Sequence, residues 1–487
     1  MKITISDRTC QVEADSDILK RLSLLLSYEI KDKFFSPQYR SGRWDGRIRL
    51  FSMKSKTFNI GLLYRVITWL QLEKIEYQVF DQRNLKSSLR TEYIQKNRIL
   101  YDDIKLRSYQ IEAIESFLKP RFGLPNTRGI FSLPPRSGKT LVSGVLGLVL
   151  NEYPLMFIVH RIDLAYQARR VFEKLYKKKI GIVGDGIFDV DSDIVISTIQ
   201  SICSAYDIKD KFDEKEKSIK DKEQFKEVIE STKTVIVDEC HVSGSEVWQQ
   251  LPKILKSIKY GVGLSGTPYR DDGADMLVEQ LWGNIVYELT RDKAVEYNSI
   301  LPIKCYFVIL PEIPVTKGDY QTQKSEAVNN NKYLLTASKK LKRRLEKKNM
   351  SSVIVIKEKS QGKNLHDILE CEYLHGGIKG SKRDEVYQKM RDKEIMTTIS
   401  TVTDIGVDIP SLDAVIIASP SKSKVAFYQR IRCGTPMDGK TYGYMFILCP
   451  NIKGVKKDYL RTHWKKMMGY AKKENSFQIK EIQYEQL

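Results

Sequence analysis

The chain reads as an α/β protein: two tandem units built on parallel sheets, preceded by a small α+β domain. Three observations predict this. Short apolar runs rich in β-branched residues recur between segments of helical period, as in strands buried on both faces. That rhythm runs through twice, between about residues 101–297 and again between 298–450. The chain's 487 residues exceed what one hydrophobic core organises, so about two to four domains are expected.

In order along the chain, residues 1–100 combine short β-like runs (KITIS, RIRLF) with one amphipathic stretch, ILKRLSLLLSYEI, of helical period. The first α/β unit, 101–297, carries the strand-like runs GIFSL, LMFIVH, DIVIST, TVIVDE and YGVGLSG. The second, 298–450, carries SSVIVI, CEYLH, IMTTIST, AVIIAS and YGYMFIL. Residues 451–487 form a Lys-rich basic tail, expected to be helical in part. A stretch dense in both charge signs, about 207–231, is expected as an exposed helical insertion or loop in the first unit. No solenoid-type repeat is present.

Hydrophobic residues make up 41% of the chain, enough for globular packing. Lys and Arg number 81 against 61 acids, a formal charge of +20, which favours a polyanionic partner. The seven cysteines are scattered without a CxxC pair. That argues against a disulfide framework or structural zinc and suits a reducing compartment. The N-terminus MKITISDRTCQVE lacks a signal-peptide core, and no run approaches the ~20 apolar residues that span a bilayer. A soluble, cytoplasmic protein is expected, with no membrane partner and a monomeric or weakly associating state.

The chemistry concentrates in two strings. SLPPRSGKT places a turn between a strand and a helix. Backbone N–H groups at Pro135–Thr140 (Arg136, Ser137 and Gly138 included) would face phosphate oxygens at the positive end of the helix dipole. Lys139 would neutralise β- and γ-phosphates, and the Thr140 hydroxyl would reach Mg²⁺. Leu133 stands where the strict phosphate-loop pattern has its first glycine. About a hundred residues on, VIVDECH runs an apolar strand into two carboxylates. Such a pair is costly unless it faces a cation or solvent. Asp238 would hold Mg²⁺ and Glu239 would orient or deprotonate the attacking water. His241 is too close to both to be idle. Together the strings call for ATP and Mg²⁺.

These residues belong to a longer series. LRSYQ, IVHRIDLAYQ, STIQS, SGTP, YRDDG, YLHGGIKGSKRDEV, STVTDIGVDIP and YQRIRCG follow one another over about 106–436. In that order they resemble the motifs of superfamily 2 DNA helicases of the DEAH/DECH type, and most closely the phage UvsW-like branch-migrating helicases. They are also similar to XPB-like repair helicases. The resemblance implies two RecA-like domains clamping ATP between them, with 3′ to 5′ travel on one DNA strand, and a bacterial-host cytoplasm if phage-encoded. It assigns the adenine contact to Gln110, and nucleotide-facing positions to Gly406 and Asp408. DNA-phosphate contacts fall to Arg161, Thr198, Gln200, His375 and Thr401. Coupling between the two sites falls to Ser265, Thr267 and Arg270. FSPQYRSGRWDGRIRLFSMKSKTFNIGLLYRVITWL resembles the accessory DNA-binding domain of the UvsW-like group, where Arg43, Trp44 and Arg47 form a basic, aromatic cluster suited to phosphates and an unpaired base.

The last motif departs from the family. Cys433 and Pro436 stand where arginines are usual, leaving Gln429, Arg430 and Arg432. A finger that reaches the γ-phosphate is worth about 10³ to 10⁵ in rate in other NTPases, and Arg432, supported by Arg430, is the expected one. The function that follows is an ATP-dependent helicase or translocase that remodels branched DNA, by Holliday-junction branch migration and fork regression. A translocase on RNA or on unseparated duplex DNA, or an ATP-binding nucleic-acid clamp with weak hydrolysis, are the alternatives.

Overall fold

The computed structural model describes residues 1–85, 89–208, 221–268, 274–378, 380–401, 412–431 and 440–487. Two compact units emerge: Met1–Leu133 with Gly138–Leu289, and Thr290–Leu487 with Pro134–Ser137.

The first unit opens with the accessory domain. Its sheet runs Phe51–Ser52, Thr57–Asn59, Thr9–Glu13, Lys2–Ile5, Gln78–Asp81. Helices Ser16–Leu25 and Leu63–Leu72 bury Leu19, Leu22, Val66, Ile67 and Leu70. The amphipathic stretch expected to be wholly helical stops at Leu25. Ser27–Glu29 turn extended and pair antiparallel with Arg47–Arg49. The Leu50 N–H donates to Leu26 C=O at 2.7 Å, tying both chain reversals together.

The accessory domain is built onto the lobe that follows. Arg65 forks onto the Glu279 carboxylate, and the Asn59 amide donates to Gln280 at 3.0 Å. A Cβ on Gly61 would lie 2.2 Å from the Glu279 carbonyl oxygen, so the two backbones meet where only glycine fits. Arg128 is wholly buried and donates to the carbonyls of Asp7, Thr127 and Lys259 at 2.7–2.8 Å. Burial pulls its pKa down to about 10.

The lobe itself is an eight-stranded sheet ordered Ile187–Asp189, Gly181–Gly184, Ile194–Thr198, Leu155–Val159, Thr234–Asp238, Tyr260–Ser265, Arg128–Ser132, Ile285–Glu288. All neighbours are parallel except the first pair. The five central strands are the runs expected from sequence. Of the charged insertion, 209–220 lie outside the described residues. The rest includes a helix, Lys222–Ser231, that is no mere solvated face: Phe225 and Ile229, one turn apart, are buried in the lobe's core.

The second unit is a seven-stranded, all-parallel sheet ordered Glu372–Leu374, Thr397–Thr401, Ser351–Ile356, Leu412–Ile417, Gly443–Lys453, Ile303–Pro314, Phe477–Gln483. The segment read as a separate basic tail belongs to this unit. Helix Tyr459–Ala471 buries Leu460, Trp464, Met467, Met468 and Ala471, and Phe477–Gln483 adds the edge strand. Those apolar residues recur at helical spacing, which the surrounding lysines hide from a reading by charge.

Candidate functional site

Parallel strands deliver their C-terminal ends to one edge of a sheet, where open α/β folds bind ligands. In the first lobe, strand register decides what meets there. Val159 lies opposite Thr198, and Ile158 opposite Val237. Asp238 lies opposite Leu264, and Ser132 opposite Ser265. Across that edge come, in order, Thr198–Gln200, His160–Arg161, Asp238–Glu239, Ser265–Thr267 and the loop after Ser132.

That loop closes through Ser137, whose hydroxyl donates to the Pro134 carbonyl at 2.8 Å. Arg136 and Gly138 take left-handed φ values of 70° and 80°. Gly138 is required twice over, since a Cβ there would also stand 2.5 Å from Gln110 Nε2. Helix Lys139–Leu150 starts immediately after, so its free N–H groups face out of the loop. Gln110 sits in the first turn of helix Ser108–Leu118, its carbonyl accepting the Arg107 N–H at 2.9 Å. Its amide NH₂ faces the phosphate loop.

Lys139 Nζ contacts Glu239 Oε1 at 3.1 Å. Glu239, the residue after strand Thr234–Asp238, takes φ 50°, a conformation that costs a non-glycine residue energy and clusters at functional sites. Its other oxygen lies 3.3 Å from His241 Nδ1. The same nitrogen is 3.0 Å from Ser265 Oγ, and Ser265 Oγ accepts the Thr267 N–H at 3.1 Å. A continuous polar chain thus links Lys139, Glu239, His241, Ser265 and Thr267. Burial alone would raise the Glu239 pKa, but Lys139, His241 and His160 outweigh it and hold the carboxylate well below its usual range. Asp238 moves the other way. Burial first, and then the adjacent Glu239 charge, push it up to about 6. A half-buried Asp238 carboxylate, with Thr140 one residue on from the Lys139 that meets Glu239, is a donor set that fits a hard, oxygen-seeking cation such as Mg²⁺.

Of the residues expected to contact DNA phosphates, three lie together in the first unit and two in the second. Thr198 caps helix Ile199–Ala205 through the Ser201 N–H, Gln200 Nε2 donates to the His160 carbonyl at 3.4 Å, and Arg161 pairs with Asp163 at 3.2 Å. In the second unit Leu374 lies opposite Ser400, so His375 and Thr401 leave adjacent strands side by side. Gln429 ends helix Lys424–Gln429. Arg430 is 2% exposed and donates to the Ser419 carbonyl at 3.0 Å, and burial lowers its pKa to about 10. Its place is inside its own lobe, holding the strand end at Ser419. Arg432, Gly406, Asp408 and Arg270 lie outside the described residues.

In the accessory domain, Arg43 is exposed, whereas Trp44 is half-buried. The Trp44 indole N–H donates to the Arg47 carbonyl at 2.8 Å and the ring meets Tyr39 edge-on. The Arg47 guanidinium donates to Ser27 Oγ at 2.9 Å. Sequence reasoning missed His160. It ends LMFIVH, and only strand register shows that it stands beside Glu239.

Comparison with known proteins follows the same division. Residues 1–81 match the family described as DNA helicase UvsW, N-terminal. Residues 103–270 match the type III restriction enzyme res subunit, and 336–434 the helicase conserved C-terminal domain. In these three matched segments the chain is similar to UvsW-like helicases of superfamily 2. It is 23% identical over 454 residues to the ATP-dependent DNA helicase uvsW of Enterobacteria phage T4, covering 86% of this chain and 84% of that one. It is 26% identical over 444 residues to the DNA 3′-5′ translocase XPB2 of Sulfurisphaera tokodaii, covering 82% and 91%. Among solved structures, Saccharomyces cerevisiae Dbp5 bound to RNA and ADP BeF3 aligns over 78% of this chain and 90% of that one, at TM-score 0.54 and 15% identity. That likeness shows the fold, two tandem RecA-like domains. This helicase is an ATP-hydrolysing enzyme, and among the described residues no helix is long and apolar enough to cross a membrane.

Proposed function

We propose that this helicase uses ATP to remodel branched DNA, driving branch migration of four-way junctions and regression of forks in recombination, repair and replication. The observation that carries the reading is the accessory domain: it matches the UvsW N-terminal family and is fused to the ATP-binding lobe through Gly61, Arg65 and Arg128. A domain so attached presents DNA to the motor in a fixed orientation.

Within the site, Lys139 and the loop N–H groups hold the triphosphate, with Gln110 toward the base. Thr140 and Asp238 hold Mg²⁺, which supplies charge neutralisation at the phosphates. Glu239, kept ionised by Lys139 and His241, accepts the proton of the attacking water. His241 passes the state of Glu239 to Ser265 and Thr267. Arg161, Thr198, Gln200, His375 and Thr401 contact the strand's phosphates, which carry little sequence information. Arg43 adds a phosphate contact from the accessory domain.

Two experiments test this. Glu239→Gln and Lys139→Ala are expected to lower DNA-stimulated ATPase at least a hundredfold while leaving DNA binding within about twofold. Parental turnover in either variant would overturn the site. Unwinding of four-way junctions, forks, flush duplexes and RNA hybrids should favour the first two, and equal or better activity on RNA hybrids would overturn the substrate assignment.

A further inference from the structure

The second unit holds a cluster of cations that the nucleotide chemistry does not use. Three segments meet at the C-terminal edge of its sheet: the loop after strand Ser351–Ile356, the loop after strand Leu412–Ile417, and helix Tyr459–Ala471. Each is pinned to the next. The Lys357 N–H donates to Ser419 Oγ at 3.3 Å. The Ser421 N–H lies 3.4 Å from Met467 Sδ. The Tyr470 hydroxyl donates to the Lys422 carbonyl at 2.9 Å. Lys357, Lys422 and Lys466 project from these segments, all exposed. None has an ion-pair partner among the described residues. The adjacent Glu358 is committed to Lys324.

At the centre stands His463, half-buried, one turn before Lys466 and edge-on to Tyr320 at 5.4 Å. Burial, and then Lys422, Lys357 and Lys466 in turn, depress its pKa. The same three contacts hold the lysine-bearing segments around that ring. Like charges converge here with no ion pair to a carboxylate among the described residues, on a scaffold whose backbone contacts fix their segments. Isolated surface lysines spread apart instead, because proximity costs them mutual repulsion.

We infer that Lys357, Lys422 and Lys466, arranged around His463, form a binding site for the phosphodiester backbone of a DNA strand, so that the C-terminal helix extends the helicase's DNA track. The inference rests on the DNA reading above and adds residues that no motif of the series contains. Three point charges grip phosphates without reading bases, as a moving enzyme requires.

The test is the triple variant Lys357→Gln, Lys422→Gln, Lys466→Gln against a charge-matched control, Lys347→Gln, Lys348→Gln, Lys393→Gln. The control residues precede strands Ser351–Ile356 and Thr397–Thr401, at the opposite edge of the same sheet. Binding of a fluorescent single-stranded oligonucleotide is measured across a salt series. Each lost contact to a single strand flattens the log–log salt slope by about 0.7, so the triple variant should lose about 2 from its slope, and about a hundredfold in affinity near 0.1 M salt. DNA-free ATPase should stay parental in both variants, which also shows that they fold. Equal slopes for triple variant and control would overturn the inference while leaving the DNA reading intact. A parent that binds no DNA would overturn the DNA reading itself.

Discussion

Replacing Asp238 with Asn should make the nucleotide-free protein more stable while disabling it. The Asp238 carboxyl is raised from 3.8 to about 6 by burial and by the Glu239 charge. At about 1.36 kcal/mol per pKa unit, holding it ionised costs the folded state about 3 kcal/mol. The residue is half-buried, so solvent screening reduces this to about 1–2 kcal/mol. Asn removes the charge yet keeps the oxygen that accepts the Glu239 N–H at 2.9 Å. At about 2 °C per kcal/mol for a domain of this size, the variant should melt about 2–4 °C higher at pH 7.5. The sign with pH is fixed. An acid whose folded pKa is raised penalises folding only where it is ionised, so the penalty is absent below about pH 4, grows through about pH 6 and is full above it. The gap between variant and parent should therefore shrink on titrating from pH 7.5 to 5. Adding Mg²⁺ with a non-hydrolysable ATP analogue reverses the order. At a hundredfold excess over Kd the parent gains about 2.7 kcal/mol, and the variant, lacking the carboxylate for the cation, gains little. Differential scanning calorimetry at both pH values, with and without nucleotide, measures all four terms. A nucleotide-free variant that melts at or below the parent at pH 7.5, or a gap that does not narrow at pH 5, would refute the electrostatic account of this site.

Other consequences follow from close approaches in the first unit. Gly138→Ala places a Cβ 2.5 Å from Gln110 Nε2 at φ 80°, so it should cost about 1 kcal/mol in strain and raise the KM for ATP at least tenfold, read in steady-state ATPase assays. Gly61→Ala drives a methyl group to 2.2 Å from a backbone oxygen and should destabilise the joint between accessory domain and lobe by about 1–3 kcal/mol. Limited proteolysis should then release the accessory domain faster, with DNA-free ATPase unchanged. His241→Ala breaks the path from Glu239 to Ser265 and should reduce the ratio of DNA-stimulated to basal ATPase more than it reduces basal turnover.

Much of the sheet was legible because its central strands are continuous apolar runs. LMFIV, IVIST, TVIVD and YGVGLS are apolar through their middles and carry polar side chains only toward their ends. The edges were harder. GIVG and IVYE are too short to stand out. FQIKEIQ alternates as a half-exposed strand, and its charge made it look like a tail. IKCYFVILPEIP carries prolines that argue against a long strand. Pro311 falls within the register shift between Ile309 and Glu312, and Pro314 closes the strand. The Lys139–Glu239 pair followed from motif order alone. The neighbourhood of His160 did not, because which strand lies beside which is settled by sheet order, and nothing local in LMFIVH encodes it. Trp44 was ambiguous for a different reason: a basic, aromatic string looks the same whether its indole N–H meets a nucleic acid or, as here, the Arg47 carbonyl.

The glycine-sized seam at Gly61 and the Arg128 bolt to Asp7 leave no slack between the N-terminal domain and the ATP-binding lobe. On the proposed function, DNA held by that domain moves together with the lobe, like a ploughshare welded to its beam. By the same reading, a softer weld should waste fuel by letting the motor cycle without moving its load.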